Sequence, residues 1–189
     1  MKVAVFGATF DPISSAHLEI VKYLSEHFDR VIVVPTTVRY HKKNTQMFSF
    51  NERYEMAKEK CKPFENVEVS NLERNVPDNW RYIDTLKNIE AQLSNGEQLY
   101  TAMGSDSFQQ FSTWASWETI LDKSKLIVFR RPGYENNFPD VQHEYVYMDN
   151  DISSTKLREN LRIKMSEDFD IMMDDMTWAK EYFEEFGEE

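Results

Sequence analysis

The sequence predicts an α/β fold, a doubly wound, mostly parallel sheet with helices on both faces, and three observations carry that expectation. Short apolar runs, most of them followed by a Gly or Pro breaker, alternate along the chain with segments whose apolar residues recur at helical spacing. Those runs are apolar at nearly every position, as in strands covered on both faces. The 189 residues, 41% hydrophobic and 14% aromatic, supply the core of one domain and leave no room for two.

The elements follow in order. Val3, Ala4, Val5 and Phe6 form a strand that stops at Gly7, and from about Ser15 to Phe28 the residues Leu18, Ile20, Val21 and Leu24 mark a helix. RVIVVP, from Arg30 to Pro35, reads as a buried strand, which proline ends. Asn51 to Cys61 carries a helical pattern in Tyr54, Met56, Ala57 and Cys61, Val67 to Val69 a short strand, and Tyr82 to Leu93 a helix. Leu99 to Met103 is a strand ending at Gly104, Trp114 to Leu121 a helix, Lys125 to Phe129 a strand, and Glu144 to Met148 the last strand. A helix opens at Ser153 and runs to Leu161, and an acidic helical segment occupies 166–189, all within one domain spanning 1–189.

Lys and Arg number 22 against 33 Asp and Glu, a net charge of -11 that argues against a nucleic-acid or anionic-membrane partner. Ser166 to Glu189 contributes ten acidic residues and one basic one, so that segment holds nine of the eleven net negative charges. The rest of the chain is nearly neutral. The lone Cys61 excludes an internal disulfide and reads as a buried thiol. With no signal-peptide pattern at the start and no apolar run long enough to span a bilayer, a cytoplasmic protein is expected.

The segment GATFDPISSAHL links the first strand to the first helix. Gly7 permits a tight turn, and the amides that follow, with the helix start, would present donors to an anion. It is neither a Walker loop nor a dinucleotide GxGxxG. His17 falls in the first helical turn with Ser14 beside it, where an imidazole donor meets charge developing on a phosphate. The plain alternative is an N-cap at Ser14 or Ser15 and a satisfied surface histidine. Asp151 to Arg158 repeats the arrangement, with hydroxyls opening a helix and Lys156 and Arg158 in its first turns. Two anion-ready helix starts suggest a nucleotide held between them.

Together GATFDPISSAHL and ISSTKLR resemble the (H/T)xGH nucleotidyltransferase superfamily, and within it the bacterial nicotinate (nicotinamide) mononucleotide adenylyltransferases. The likeness continues in order through Val38–Lys42, Asp84–Leu86, Gly104–Ser107, Phe111–Trp114, Trp117–Leu121 and Leu126–Gly133. It implies a Rossmann-like fold and adenylyl transfer from ATP to a pyridine mononucleotide, forming the dinucleotide and pyrophosphate in NAD biosynthesis. Under it, Gly7, Ala8, Thr9, Phe10 and His17 hold the ATP phosphates, Gly104 and Asp106 border the adenosine, and Ser154, Thr155 and Arg158 hold the leaving pyrophosphate. Ser14, His17 and Arg158 are its catalytic set. His41, Lys42, Tyr82, Thr85, Trp114, Ala115 and Arg130 line the mononucleotide side, Trp114 stacking on the pyridine ring. Core packing of Trp114 and Trp117, three apart on one helix, is the competing reading for those two.

The attacking phosphate is already an anion, so no covalent intermediate is needed. Mg²⁺ would be bound mainly through ATP oxygens, with no protein-only metal site. Ser14, Ala16 and Ala8 depart from the family's His/Thr and its two glycines. Tyr82 stands where nicotinate-specific members carry a small hydroxyl, which leaves the choice of acid or amide substrate open. A phosphopantetheine adenylyltransferase-like enzyme and a nucleotide-binding homologue without catalysis are the alternatives. A homo-oligomer is compatible with the sequence.

Overall fold

Every strand of the sheet runs in the same direction, because each is joined to the next by a crossover rather than a hairpin. The computed structural model describes residues 1–37, 47–130 and 139–148. In these, β1 (Lys2–Ala8), β2 (Arg30–Pro35), β3 (Val67–Val69), β4 (Gln98–Gly104), β5 (Lys125–Arg130) and β6 (Glu144–Tyr147) lie in the order β3-β2-β1-β4-β5-β6. The helices are α1 (Ser15–His27), α2 (Phe50–Cys61), α3 (Tyr82–Glu90), α4 (Ser105–Gln109) and α5 (Trp117–Lys123), with a 3₁₀ turn over Phe111–Thr113. The expected helix at 153–161 and the acidic segment 166–189 lie outside the described residues.

The period of two along each strand divides the core. Ala4, Phe6, Val31, Val33, Tyr100, Ala102, Ile127 and Phe129 face a layer completed by Ile20, Val21 and Leu24 of α1 and Ala57 and Cys61 of α2. Val3, Val5, Ile32, Val34, Leu99, Met103, Leu126 and Val128 face the other layer, with Ile83, Leu86 and Ile89 of α3, Phe108 of α4 and Ile120 of α5. Full burial of each such aliphatic side chain contributes about 1.5–3 kcal/mol, which explains why both faces of the strands are apolar.

Local chemistry sets where the helices begin. In α1 and α2 the Ser14 and Ser49 hydroxyls accept from the amides of His17 and Glu52 (both 3.4 Å), and those side chains take the cap amides in return. In α3 the Asp84 carboxylate accepts from the Arg81 amide (2.8 Å).

Three expectations are corrected and one helix, α4, is added. The helix expected from Trp114 begins at Trp117, because Trp114 is extended (ψ 143°) and Ser116 sits in the left-handed region (φ 56°). The helix from Tyr82 ends at Glu90 rather than Leu93. The five residues of α4 escape periodicity; Ser105 helps to hold that turn by donating to the Phe129 carbonyl (3.0 Å). On α2 the fully buried stripe is Arg53, Ala57 and Cys61, while Tyr54 and Met56 are half-buried. Cys61 is 2% exposed, and burial pushes its thiol up to about 12.

Candidate active site

Adjacent strands β1 and β4 send their chains to opposite faces of the sheet: α1 joins one hydrophobic layer, α4 and α5 the other. A crevice therefore opens beyond the carboxyl ends of these two strands, the place where α/β sheets bind ligands. Gly7, Ala8 and Gly104 stand at its edge. Ala8 takes ordinary strand backbone, since among the described non-glycine residues only Phe10 and Ser116 have positive φ.

Phe10 turns the loop between β1 and α1 with φ 48°, a conformation costing a non-glycine residue about 1–2 kcal/mol. Its ring, 1% exposed, offsets that cost by packing edge-on against Phe6 and His17, with centroids 5.4 and 5.0 Å away. Asp11, whose bond to Pro12 is cis, accepts from the amides of Met47 (3.0 Å) and Phe48 (2.9 Å), tying the loop to the chain before α2.

The hydrogen bonds of Ser14 assign the His17 tautomer. The Ser14 amide can only donate, and it meets Nδ1 at 3.0 Å, with the Ser14 hydroxyl 2.9 Å from the same nitrogen. Nδ1 is therefore an acceptor, and the neutral ring carries its proton on Nε2. Serine at 14 thus fills the motif position by both capping α1 and orienting the imidazole. Ala16 is 1% exposed, its methyl taken up by the interior.

Across the crevice, a Cβ added to Gly7 would stand 3.2 Å from Tyr82 Cε2, so glycine here lets the Tyr82 ring close on β1. Tyr82 Oη donates to Thr101 Oγ1 (3.3 Å), and its ring meets Trp114 edge-on at 5.3 Å. Burial raises the Tyr82 phenol well above its ordinary value, helped by the Glu73 charge and opposed by the Thr101 bond, so it stays neutral. Trp114 leans on Phe111 (5.6 Å) and Ala115 follows it, exposed. A Cβ on Gly104 would lie 2.8 Å from Asp106 Oδ1. Arg130 closes β5, its guanidinium 4.2 Å from the Tyr145 ring centroid.

The structure thus gathers Gly7, Ala8, Thr9, Phe10, Ser14 and His17 along the end of β1, the loop and the start of α1, with Tyr82 against Gly7 and Trp114 against Tyr82. Thr85 stands behind the surface. It is fully buried, donating to Glu73 Oε1 (2.5 Å) and accepting from Trp80 Nε1 (2.8 Å), which makes it a support for the wall. His41, Lys42, Ser154, Thr155 and Arg158 lie outside the described residues. No group of three His, Cys, Asp or Glu among the described residues could hold a metal ion.

Three further residues, to which the motifs assign no role, stand in or beside the loop. Arg53, 1% exposed, donates through Nη1 to the carbonyls of Thr9 and Thr36. Burial lowers its pKa while the charges of Asp11 and Glu73 oppose that shift, and it remains a cation. Glu73, 5% exposed, accepts from the Thr37 amide (2.9 Å) as well as from Thr85. Asp11 is 2% exposed. A charged residue on the buried stripe of α2 was the available signal for Arg53; nothing in spacing marks Glu73.

Residues 5–160 match the cytidylyltransferase-like family. A probable nicotinate-nucleotide adenylyltransferase of Solibacter usitatus is 33% identical over 165 residues, covering 85% of this chain and 87% of that one. The nicotinate-nucleotide adenylyltransferase of Salmonella typhimurium is 35% identical over 144 residues, 75% of this chain and 67% of its own. Among solved structures, Plasmodium falciparum nicotinic acid mononucleotide adenylyltransferase complexed with NaAD matches with a TM-score of 0.66 at 19% identity, over 84% of this chain and 82% of that one. At that identity the likeness concerns the fold. Among the described residues no helix is long and apolar enough to cross a membrane.

Proposed function

Because this chain belongs to the cytidylyltransferase-like family and its relatives of about one-third identity are nicotinate-nucleotide adenylyltransferases, we propose that it transfers the adenylyl group of ATP to a pyridine mononucleotide. It is a nucleotidyltransferase whose products are the dinucleotide and pyrophosphate. The observation that carries this reading is the constrained loop and oriented imidazole that follow β1, beside β4 where the strand order reverses.

The chemistry is positioning and charge compensation. The mononucleotide phosphate attacks the α-phosphorus of ATP and pyrophosphate leaves, so two anions must be held in line against their repulsion. Amides near Thr9 and Phe10 bind the phosphates, and His17 Nε2–H donates to the charge that grows at the α-phosphate. Ser14 holds His17 in the tautomer that makes this donation. Gly104 and Asp106 border the adenosine, the carboxylate accepting from ribose hydroxyls. Ser154, Thr155 and Arg158 take the β- and γ-phosphates. Trp114 stacks on the pyridine ring, with Tyr82 and Ala115 near its substituent, and His41, Lys42 and Arg130 serve the mononucleotide phosphate. Mg²⁺, held mainly through ATP oxygens, would add charge neutralisation when bound.

Pyrophosphate release tests the reading, assayed with ATP and, in parallel, nicotinate mononucleotide, nicotinamide mononucleotide or phosphopantetheine. Turnover with one or both pyridine mononucleotides and none with phosphopantetheine is expected. Measurable ATP binding without turnover on any acceptor would leave only a nucleotide-binding homologue.

A further inference from the structure

The most deeply buried cation described in the chain lies behind the phosphate-facing loop. Arg53 lies on the core stripe of α2 with Ala57 and Cys61, a position where an apolar residue would pack without desolvating a guanidinium. Its Nε is buried without a hydrogen-bond partner, so packing alone does not account for it. Its Nη1 spans the carbonyls of Thr9 and Thr36, one residue beyond the end of β1 and one beyond the end of β2. The Thr36 amide already donates to the Ala8 carbonyl (2.9 Å), and Arg53 carries that tie past the last ladder bond into the loop. Asp11 holds the same loop from its other side through the amides of Met47 and Phe48. Between these two anchors sits Phe10 in its left-handed turn.

We infer that Arg53 is a positioning residue for adenylyl transfer, clamping the Thr9 carbonyl so that the Thr9–Phe10 backbone is set before ATP arrives. The inference rests on the function proposed above. Arginine suits the task because one planar nitrogen with two N–H groups can serve two carbonyls at fixed angles. Lysine keeps the charge opposite Asp11 and Glu73 but presents a flexible point donor. The loop is then left able to shift, and displacements of about 1 Å at such a site lower rates by up to about a hundredfold.

The test compares the full chain with Arg53→Lys by steady-state kinetics, ATP calorimetry and thermal unfolding. A positioning role predicts a folded variant whose kcat/KM for ATP falls about tenfold or more, while the KM of the mononucleotide stays within about twofold. Unchanged kcat and KM for ATP in a folded variant would overturn the inference. Should Arg53→Lys not fold, Arg53→Met replaces it in the same comparison, and failure of both to fold assigns Arg53 to stability alone. If the wild-type chain binds ATP without turning over, the proposed function fails by itself. The clamp is then judged on ATP affinity: about tenfold weaker in Arg53→Lys supports it, and equal affinity refutes it.

Discussion

The proton on His17 decides what the start of α1 can do. With Nδ1 engaged by the Ser14 amide and hydroxyl, the neutral ring can offer only Nε2–H as a donor, the one the proposed function assigns to charge growing at the α-phosphate. His17→Ala should therefore lower kcat by about 10²–10³-fold and change the ATP dissociation constant far less; equal losses in kinetics and calorimetry would remove the role. Thr85 makes the contrasting case. Its hydroxyl is the buried joint between Trp80 and Glu73, so Thr85→Val should lower stability by about 1–3 kcal/mol and leave the mononucleotide KM nearly unchanged, as denaturant titration and kinetics would register. At this scale the sequence places Ser14 beside His17, and the structure finds the two in hydrogen-bond contact. The sequence assigns Arg53, Asp11 and Glu73 no role, because the work of a buried charge depends on which side chains meet in space, and Arg53 meets two carbonyls just beyond different strand ends.

Elements were legible where a single periodicity ran long enough. The strands and α1 stand within a residue or two of their expected bounds; β1, β2, β4 and β5 each bury an apolar run and α1 one apolar face, while β3 and β6 are short and little buried. The start of α5 was not, because the left-handed backbone at Ser116 releases Trp114 from the helix and turns it toward Tyr82 and Phe111. Helix α2 joins stability to the site. Removing its cap with Ser49→Ala should cost about 1 kcal/mol, a fall of about 2–4 °C in Tm for a chain of this size. Its last residue adds a pH dependence. The Cys61 thiol titrates near 9.0 ordinarily and is raised to about 12 in the folded chain, so the unfolded state loses its proton first. The stability this contributes is complete below pH 9 and is lost as pH rises toward 12, by at most about 1.4 kcal/mol per pH unit. Cys61→Ala should flatten that part of the stability–pH curve, and an unaltered slope would move the effect to other groups.

For the whole molecule, the decisive feature is that one sheet serves two cores. Apolar runs covered on both faces announced a parallel sheet; the order β3-β2-β1-β4-β5-β6, with the crevice where the winding reverses, depends on which face each crossover takes. No single helix pattern records that choice, so motifs could name candidate residues while the way Tyr82 closes on Gly7 could not be read. Because β1, β2, β4 and β5 each contribute side chains to both layers, the described residues should unfold as one unit. Leu24→Ala on one face and Leu86→Ala on the other, both fully buried, should each cost about 2–5 kcal/mol and lower a single transition. The proposed function puts ATP at the ends of β1 and β4. At a concentration a hundredfold above its dissociation constant it should add about 2.7 kcal/mol, raising Tm by about 5–11 °C in the wild-type chain and by a similar step in both variants. Scanning calorimetry checks this directly: two transitions, of which ATP moves only one, would mean that the two layers are not coupled through the sheet.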